Sequence, residues 1–264
     1  VAIDWRAYKL TASGAFPTNI KNQTYHFYKA EGTSYYCTDI DIPQSQTIAT
    51  NTTWENVSIT NKITIEDGAI LAINGLIGCS DVDNLVIKEG GQLIHNNAGV
   101  KATLEKEIEG YGSTNESWYT ISSPLMGNVA LSDVESLIPT TNNYDLYRYD
   151  EPTSVWQNVK QSSNSFANLE NGRGYLYANE YDATLSFAGE LNGDDVTYHL
   201  SKTENIALSG FHLIGNPFTH NIYKGVGAAI DDNNLAAGYY TLSDVGAWGA
   251  KISDDIPIAP GQGI

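Results

Sequence analysis

Apolar and polar positions alternate along two segments of the chain that repeat one another. Residues 63–71 (ITIEDGAIL) align with residues 85–93 (LVIKEGGQL) at an offset of 22. Each copy has a short alternating strand, a corner with an acidic residue before glycine, and a second apolar strand, and Gly68 and Gly90 fit corners that need a positive φ. A fixed period near 20 residues with glycine at a corner is typical of stacked coils. The pattern predicts a short parallel β-helix of two to three coils over residues 49–108.

A second repeat lies in the C-terminal part of the chain. Residues 118–124 (WYTISSP) align with residues 211–217 (FHLIGNP) at an offset of 93, and residues 169–175 (LENGRGY) align with residues 258–264 (IAPGQGI) at an offset of 89. Short apolar strands separated by frequent turn residues are typical of antiparallel sandwiches. We therefore predict an all-β chain in which residues 118–264 form an antiparallel β-sandwich built from two similar halves.

Each half contains one predicted hairpin and one tryptophan in it. The first hairpin covers residues 144–156 and ends at Trp156, and the pattern recurs around Trp248. Trp118 in the first half also aligns with Phe211 in the second. Since positions that repeat are better explained by a repeated core than by a ligand platform, we predict that these aromatic side chains belong to the core.

Three further segments have weaker patterns. Residues 1–48 contain short runs of strand composition and are predicted to form an N-terminal β cap segment. Residues 109–117 (EGYGSTNES) are polar and glycine-rich, which predicts a linker. Residues 132–135 (SDVE) match a capping box, which predicts a short helix through Leu137.

The two halves differ after their glycine motif. In the first half, Gly174 leads into an apolar strand and then a further strand at residues 184–187, whereas the second half reaches Ile264 one residue after its matching glycine. We therefore expect that a C-terminal strand is missing and that the chain is part of a longer polypeptide.

Charge excludes two classes of partner. The 264 residues include 31 acidic and 14 basic side chains, for a net charge of −17. Nucleic acid and anionic membrane surfaces both require a positive footprint, so neither is an expected partner. No run of 18 apolar residues occurs, so no membrane insertion is expected.

Cysteine usage leaves two alternatives open. Cys37 and Cys79 are the two cysteines of the chain. In an exported protein they could pair, which would stabilise the fold by about 4 kcal/mol on a chain-entropy estimate. Each could equally be a small buried apolar side chain.

The sequence contains no motif that predicts a catalytic residue. The histidines form no His-Glu-x-x-His arrangement, and no Gly-x-Ser-x-Gly elbow is present. Adjacent aspartates in polar turns are typically solvated, so no metal or other cofactor is expected. Carboxylates clustered in loops also suit a hard cation, which makes calcium the alternative. The calcium candidates are Asp81, Asp83, Asp231 and Asp232. Tyrosines in turns, such as Tyr111 and Tyr181, are freer to contact a sugar than the repeated aromatics, and the sequence assigns no ligand-binding residue.

Several motifs together resemble the C-terminal regions of large secreted and surface proteins of Bacteroidetes bacteria. The resemblance rests on a Thr-Trp motif at residues 52–54, glycine-corner coils at residues 65–71 and 87–93, an aromatic-x-Leu-Ile-Gly-Asn-Pro motif at residues 211–217, and Pro-Gly-Gln-Gly at residues 260–263. These motifs are turns, corners and core aromatics. Ile264 departs from the family, which usually has phenylalanine there.

The resemblance implies an extracellular or outer-membrane surface location and a non-catalytic, adhesin-like role. In that role the chain would contact a glycan or a host or cell-surface protein through surface loops. The alternative is an accessory or scaffold segment of a larger secreted hydrolase, a protease or glycosidase, whose catalytic module lies upstream. The family likeness carries over no catalytic residue.

Overall fold

The computed structural model describes residues 24–29, 35–41, 45–112, 117–163, 165–224, 235, 238–243, 246–251 and 256–264, with side chains from residue 45 onward. These residues form 21 β-strands and three single-turn 3₁₀ helices, and no α-helix occurs among them. The predicted all-β fold class is confirmed.

The strands are β1 (Thr24–Lys29), β2 (Tyr35–Asp41), β3 (Gln46–Ile48), β4 (Thr52–Trp54), β5 (Val57–Ile59), β6 (Ile63–Ile65), β7 (Ile70–Ile73), β8 (Ile77–Cys79), β9 (Leu85–Ile87), β10 (Gln92–Ile94), β11 (Lys101–Ile108), β12 (Tyr119–Ile121), β13 (Val129–Ala130), β14 (Val134–Glu135), β15 (Tyr144–Asp150), β16 (Val155–Asn158), β17 (Asn168–Leu169), β18 (Tyr175–Asn179), β19 (Ala183–Glu190), β20 (Tyr239–Leu242) and β21 (Trp248–Lys251). The 3₁₀ helices cover Val82–Asn84, Leu131–Asp133 and Glu151–Thr153.

Strands β2 to β10 pair in parallel in three sheets. The first contains β3, β6 and β9, the second β4, β7 and β10, and the third β2, β5 and β8. The register places Ile63 opposite Leu85 and Ile70 opposite Gln92, which is the spacing of 22 expected from the sequence. The corner glycines Gly68 and Gly90 have φ of +73° and +77°, a conformation that glycine adopts without steric cost.

Side chains that alternate along these strands form the core between the sheets. Ile63 and Ile65 on β6, and Leu85 and Ile87 on β9, are fully buried. Burying one such side chain contributes about 1.5–3 kcal/mol relative to leaving it exposed. The apolar periodicity therefore sets which face of each strand turns inward.

Strand β11 connects the parallel sheets to the rest of the chain. It pairs in parallel with β9, with Thr103 opposite Val86, and antiparallel with β19 over eight residue pairs from Lys101–Glu190 to Ile108–Ala183. One six-stranded sheet, in the order β14-β19-β11-β9-β6-β3, results. The buried apolar cluster is likewise continuous, from Ile48 to Leu191.

The predicted helix at residues 132–137 is wrong. Leu131–Asp133 forms a single 3₁₀ turn, and Val134–Glu135 is a strand that pairs antiparallel with β19. Val134 lies opposite Phe187, and both side chains are buried. Apolar burial and sheet pairing therefore outweigh the local preference of the capping box.

The two copies of the C-terminal motif interlock through reciprocal backbone hydrogen bonds. Ser122 of the first copy donates its N–H to the carbonyl of Gly261 in the second, at 2.9 Å. At the aligned positions, Gly215 of the second copy donates to the carbonyl of Gly172 in the first, at 3.0 Å. Gly172 and Gly261 share a positive φ, +79° and +66°. The aligned glycines therefore have the same conformation and the same role in each copy.

The residue before each motif proline forms the same local turn. Ser123 Oγ accepts the N–H of Leu125, and Asn216 Oδ1 accepts the N–H of Phe218. In both cases a short polar side chain bonds the backbone two residues on, as in Ser and Asn turns generally. Serine and asparagine thus fill equivalent positions despite their different chemistry.

A buried carboxylate fastens residues 201–210 to the hairpin of β15 and β16. Glu151 accepts the N–H groups of Thr203 (2.7 Å) and Gly210 (2.9 Å), and it also accepts the hydroxyl of Ser201 (2.9 Å). Its side chain is 1% exposed. The backbone N–H of Thr203, followed by the other hydrogen bonds, lowers the pKa of Glu151 to about 2.

The interlocked motifs give a test of packing. A Cβ at Gly215 would overlap Ser122 and lie 2.8 Å from the carbonyl oxygen of Arg173, whereas a Cβ at Gly249 would meet nothing within 4 Å. We expect Gly215→Ala to lower the free energy of unfolding by about 1–3 kcal/mol, the usual cost of overpacking. Gly249→Ala, the control, should be neutral or stabilise slightly. Equal denaturation midpoints for the two variants in urea would contradict this account of the junction.

The carboxylate of Glu151 gives a test of pH dependence. Because its pKa is about 2 when folded and about 4.3 when unfolded, its contribution is present above about pH 4.3 and is lost as pH falls towards 2. Glu151→Gln should therefore lower the urea midpoint at pH 7, and the difference from the unsubstituted chain should shrink towards pH 2. The exposed Glu204 provides the control variant Glu204→Gln, which should track the unsubstituted chain at every pH.

Candidate functional site

The aspartates predicted as calcium candidates have a structural role where they are described. Asp81 precedes the 3₁₀ turn Val82–Asn84, and its Oδ1 accepts the N–H of Asp83 at 3.1 Å. Asp231 and Asp232 lie outside the described residues. Within the described part of the chain, no group of three or more His, Cys, Asp or Glu side chains could hold a metal ion.

The thiol of Cys79 is buried and free in this structure. Its Sγ lies 3.3 Å from the carbonyl oxygen of Asp81, and burial raises its pKa. Cys79 therefore takes the second of its two predicted alternatives, a small buried side chain. The side chain of Cys37 lies outside the described part of the chain.

Two histidines lie near each other where β10 meets the C-terminal part. His95 is 4% exposed, its Nδ1 accepts the N–H of Asn97, and its Nε2 is buried without a partner among the described residues. Burial, with a smaller contribution from His220, lowers the pKa of His95 to about 4. Burial also lowers the pKa of His220. Both rings are therefore neutral at pH 7.

A cleft of about 260 Å³ lies beside the adjacent pair Asp194 and Asp195. Asn171 and Asn192 line it and exchange amide hydrogen bonds of 3.0 and 3.2 Å. Asn192 also donates to the carbonyl of Pro217 at 2.8 Å. These two amides are therefore engaged within the protein, and the other polar side chains that line the cleft are those of Asp194, Asp195 and Thr197.

The predicted burial of the repeated aromatics is wrong for three of the four. Trp156, Trp248 and Phe211 are 36%, 43% and 47% exposed, and Trp118 is half-buried. Trp156 stands on β16, the edge strand of the sheet β12-β18-β15-β16, where its ring contacts Tyr149 at 5.2 Å between centroids. An edge strand lacks a neighbour on one side, so repetition at this position does not imply burial.

Tyr111 and Tyr181, the two tyrosines given as freer candidates, lie on adjacent turns. Tyr111 donates its N–H to Asn179, and Gly112 donates to Glu180, each at 2.9 Å. Gly110 donates to Asp182 Oδ1 at 2.8 Å. A Cβ at Gly110 would lie 2.5 Å from the carbonyl oxygen of Glu180, so the close approach of the two turns depends on glycine.

Two carboxylates, those of Glu180 and Asp145, lie near these two tyrosines. Desolvation, with further contributions from Glu180 and Asp145, raises the pKa of Tyr111. Tyr181 is 57% exposed. Lys160 Nζ lies 3.8 Å from Asp145 Oδ1. We name Tyr111, Asp145, Glu180 and Tyr181 the tyrosine patch.

The tyrosine patch combines flat apolar rings with hydrogen-bonding groups. Tyrosine supplies a large contact area with little loss of side-chain freedom, and carboxylates accept hydrogen bonds from hydroxyl groups. The sequence identified Tyr111 and Tyr181, but it contained no signal for Asp145 or Glu180. Asp145 is the second residue of β15, and it reaches the patch through the pairing of β15 with β18.

No helix among the described residues is both long and apolar enough to cross a membrane. Comparisons with family models, curated proteins and solved structures found no match for this chain.

The role of Asp81 can be tested with one pair of variants. Replacing an aspartate cap by alanine costs typically about 1 kcal/mol, so Asp81→Ala should lower the free energy of unfolding by about that amount. Asp83→Ala, two residues on and also exposed, should change it by less than about 0.5 kcal/mol. Urea denaturation with calcium and with EDTA should give the same result for both. If calcium raised the urea midpoint of the unsubstituted chain and Asp81→Ala abolished that rise, Asp81 would be a calcium ligand. That result would contradict a purely structural role for Asp81.

Proposed function

We propose that this chain is a non-catalytic, exported β protein of adhesion or glycan-binding type, and that it contacts a glycan through the tyrosine patch. The observation that carries this proposal is that backbone hydrogen bonds join two tyrosine-bearing turns 70 residues apart in sequence, with Glu180 in the second turn and Asp145 on the strand paired with β18. The likeness to secreted and surface proteins of Bacteroidetes supports the extracellular or cell-surface location.

The proposed architecture is a short parallel β-helix followed by an antiparallel sandwich of two similar halves. Three parallel sheets with spacings near 20 residues and glycine at the corners support the first part. The reciprocal bonds of Ser122 and Gly215 support the relation between the halves. A scaffold of this kind would hold the turns of the tyrosine patch in fixed positions, as binding loops are held in other rigid β folds.

Charge narrows the class of glycan. The chain has a net charge of −17, and the tyrosine patch contains two carboxylates. Sulfated and uronic acid polymers would be repelled by this field. The proposed ligand class is therefore a neutral glycan, whose hydroxyls can donate to the carboxylates and whose apolar ring faces the tyrosines can cover.

The proposal predicts the effect of one aromatic substitution. A glycan array of the chain should show binding to neutral glycans, and Tyr181→Ala should weaken binding to the strongest of them by about tenfold, or ~1.4 kcal/mol. Tyr181 is exposed and its phenol is not part of the core, so the thermal midpoint should stay unchanged.

Tyr223→Ala is the matched control. Tyr223 is 40% exposed and lies outside the tyrosine patch, so its removal should leave the glycan affinity unchanged. An array without a single bound neutral glycan, or equal affinity for Tyr181→Ala and the unsubstituted chain, would overturn the proposal.

A further inference from the structure

In the first half of the C-terminal part, strand β18 lies between two flanking strands. Leu176 on β18 is opposite Thr120 of β12 on one side and Tyr147 of β15 on the other. The ring of Trp118, just before β12, lies 6.1 Å from the ring of Tyr147 with an interplanar angle of 56°. The two rings therefore approach each other across β18.

The second half has the same flanking segments. Ile214 and Ile264 exchange two backbone hydrogen bonds of 2.9 and 2.8 Å, where the aligned residues Ile121 and Tyr175 pair in the first half. Tyr240 on β20 aligns with Tyr147 on β15 at the same offset of 93. Among the described residues, β20 has one strand partner, β21.

The spacing of the flanking segments is preserved as well. The rings of Phe211 and Tyr240 lie 6.0 Å apart at 50°, close to the 6.1 Å and 56° of their counterparts. We name the space between residues 211–214 and β20 the strand slot. The slot therefore has the width that, in the first half, accommodates one β-strand.

Exposure distinguishes the two ring pairs. Trp118 and Tyr147 are half-buried, whereas Phe211 and Tyr240 are 47% and 46% exposed. A separate apolar cluster of Ile222, Ile258 and Ile264, with Tyr239 packed against it, lies under this part of the fold. One face of the strand slot therefore has exposed aromatic side chains, and the other face has the apolar cluster. A sheet edge that accepts an extended peptide likewise provides pockets for alternate side chains.

We propose that the strand slot binds an extended polypeptide strand that continues in register from Ile264 and runs antiparallel to residues 211–214, as β18 does beside β12. Its first residue corresponds to Leu176 and should be apolar, since it would lie opposite Leu213 on one side and Tyr240 on the other, as Leu176 lies opposite Thr120 and Tyr147. Its second residue corresponds to the fully buried Tyr177 and packs towards the apolar cluster.

The test extends the chain by four residues after Ile264. The sequence Leu-Tyr-Ala-Asn reproduces residues 176–179, and the matched control is Pro-Tyr-Ala-Asn, because proline cannot donate to the strand ladder. The Leu-Tyr-Ala-Asn chain should melt several degrees above chain 1–264, and amide exchange at residues 211–214 and in β20 should slow by at least tenfold. The proline control should match chain 1–264 in both measurements.

Two results would overturn the proposal. The first is an unchanged melting temperature and unchanged exchange in the Leu-Tyr-Ala-Asn chain. The second is protection by a free Leu-Tyr-Ala-Asn peptide without protection by the fused one, which would mean that the strand does not continue from Ile264. These measurements are independent of glycan binding, so the strand slot and the tyrosine patch can fail separately.

Discussion

The pairing of strand β11 on both of its edges is the interaction on which the rest of this structure depends. A stack of a few parallel coils leaves an open sheet edge at its end, with unpaired backbone groups that invite association. β11 covers β9 on one side and offers β19 eight antiparallel pairs on the other. The ion pairs Lys88–Glu105 and Lys106–Glu89 accompany this contact, but partly exposed pairs contribute only about 0–1 kcal/mol each. The backbone ladder and the shared apolar core therefore determine the arrangement.

The reciprocal contacts of the motif copies show how a duplicated segment can build a junction rather than two separate units. Each copy offers a donor in its first motif and a carbonyl in its glycine motif, and each donor is satisfied by the other copy. Neither copy can complete these bonds alone, because the donor and the acceptor of each bond lie in different copies. A copy without its partner would leave these backbone groups unpaired, and an unpaired buried backbone group costs free energy. Gly215 lies against Ser122 so closely that no side chain fits, which explains a glycine at that position.

Features that depend on local spacing were predictable from the sequence, and features that depend on distant partners were not. The 22-residue coil spacing and the glycine corners were predictable because each coil repeats the same local requirement for φ. The capping box at residues 132–135 predicted a helix that does not form, because burial of Val134 opposite Phe187 on β19 stabilises a strand more than the cap would stabilise a helix. The predicted burial of Trp156 was wrong because a repeated residue indicates an equivalent position in the two halves, and it does not indicate whether that position is on an edge strand. The carboxylates of the tyrosine patch had no sequence signal, because β15 reaches the patch only after pairing with β18.

The acidity of this chain has a structural component that its composition does not reveal. Four carboxylates accept backbone N–H groups from distant parts of the chain: Glu89 from Glu107, Glu151 from Thr203 and Gly210, Asp182 from Gly110, and Glu190 from Gly99. Loops and strand ends leave many N–H groups without a partner in a sheet, and a carboxylate satisfies them with a charge-assisted bond. Lysine and arginine cannot replace it, because neither accepts a hydrogen bond. At least these four of the 31 acidic side chains therefore hold turns and strand ends in place, in addition to any effect of the charge on solubility.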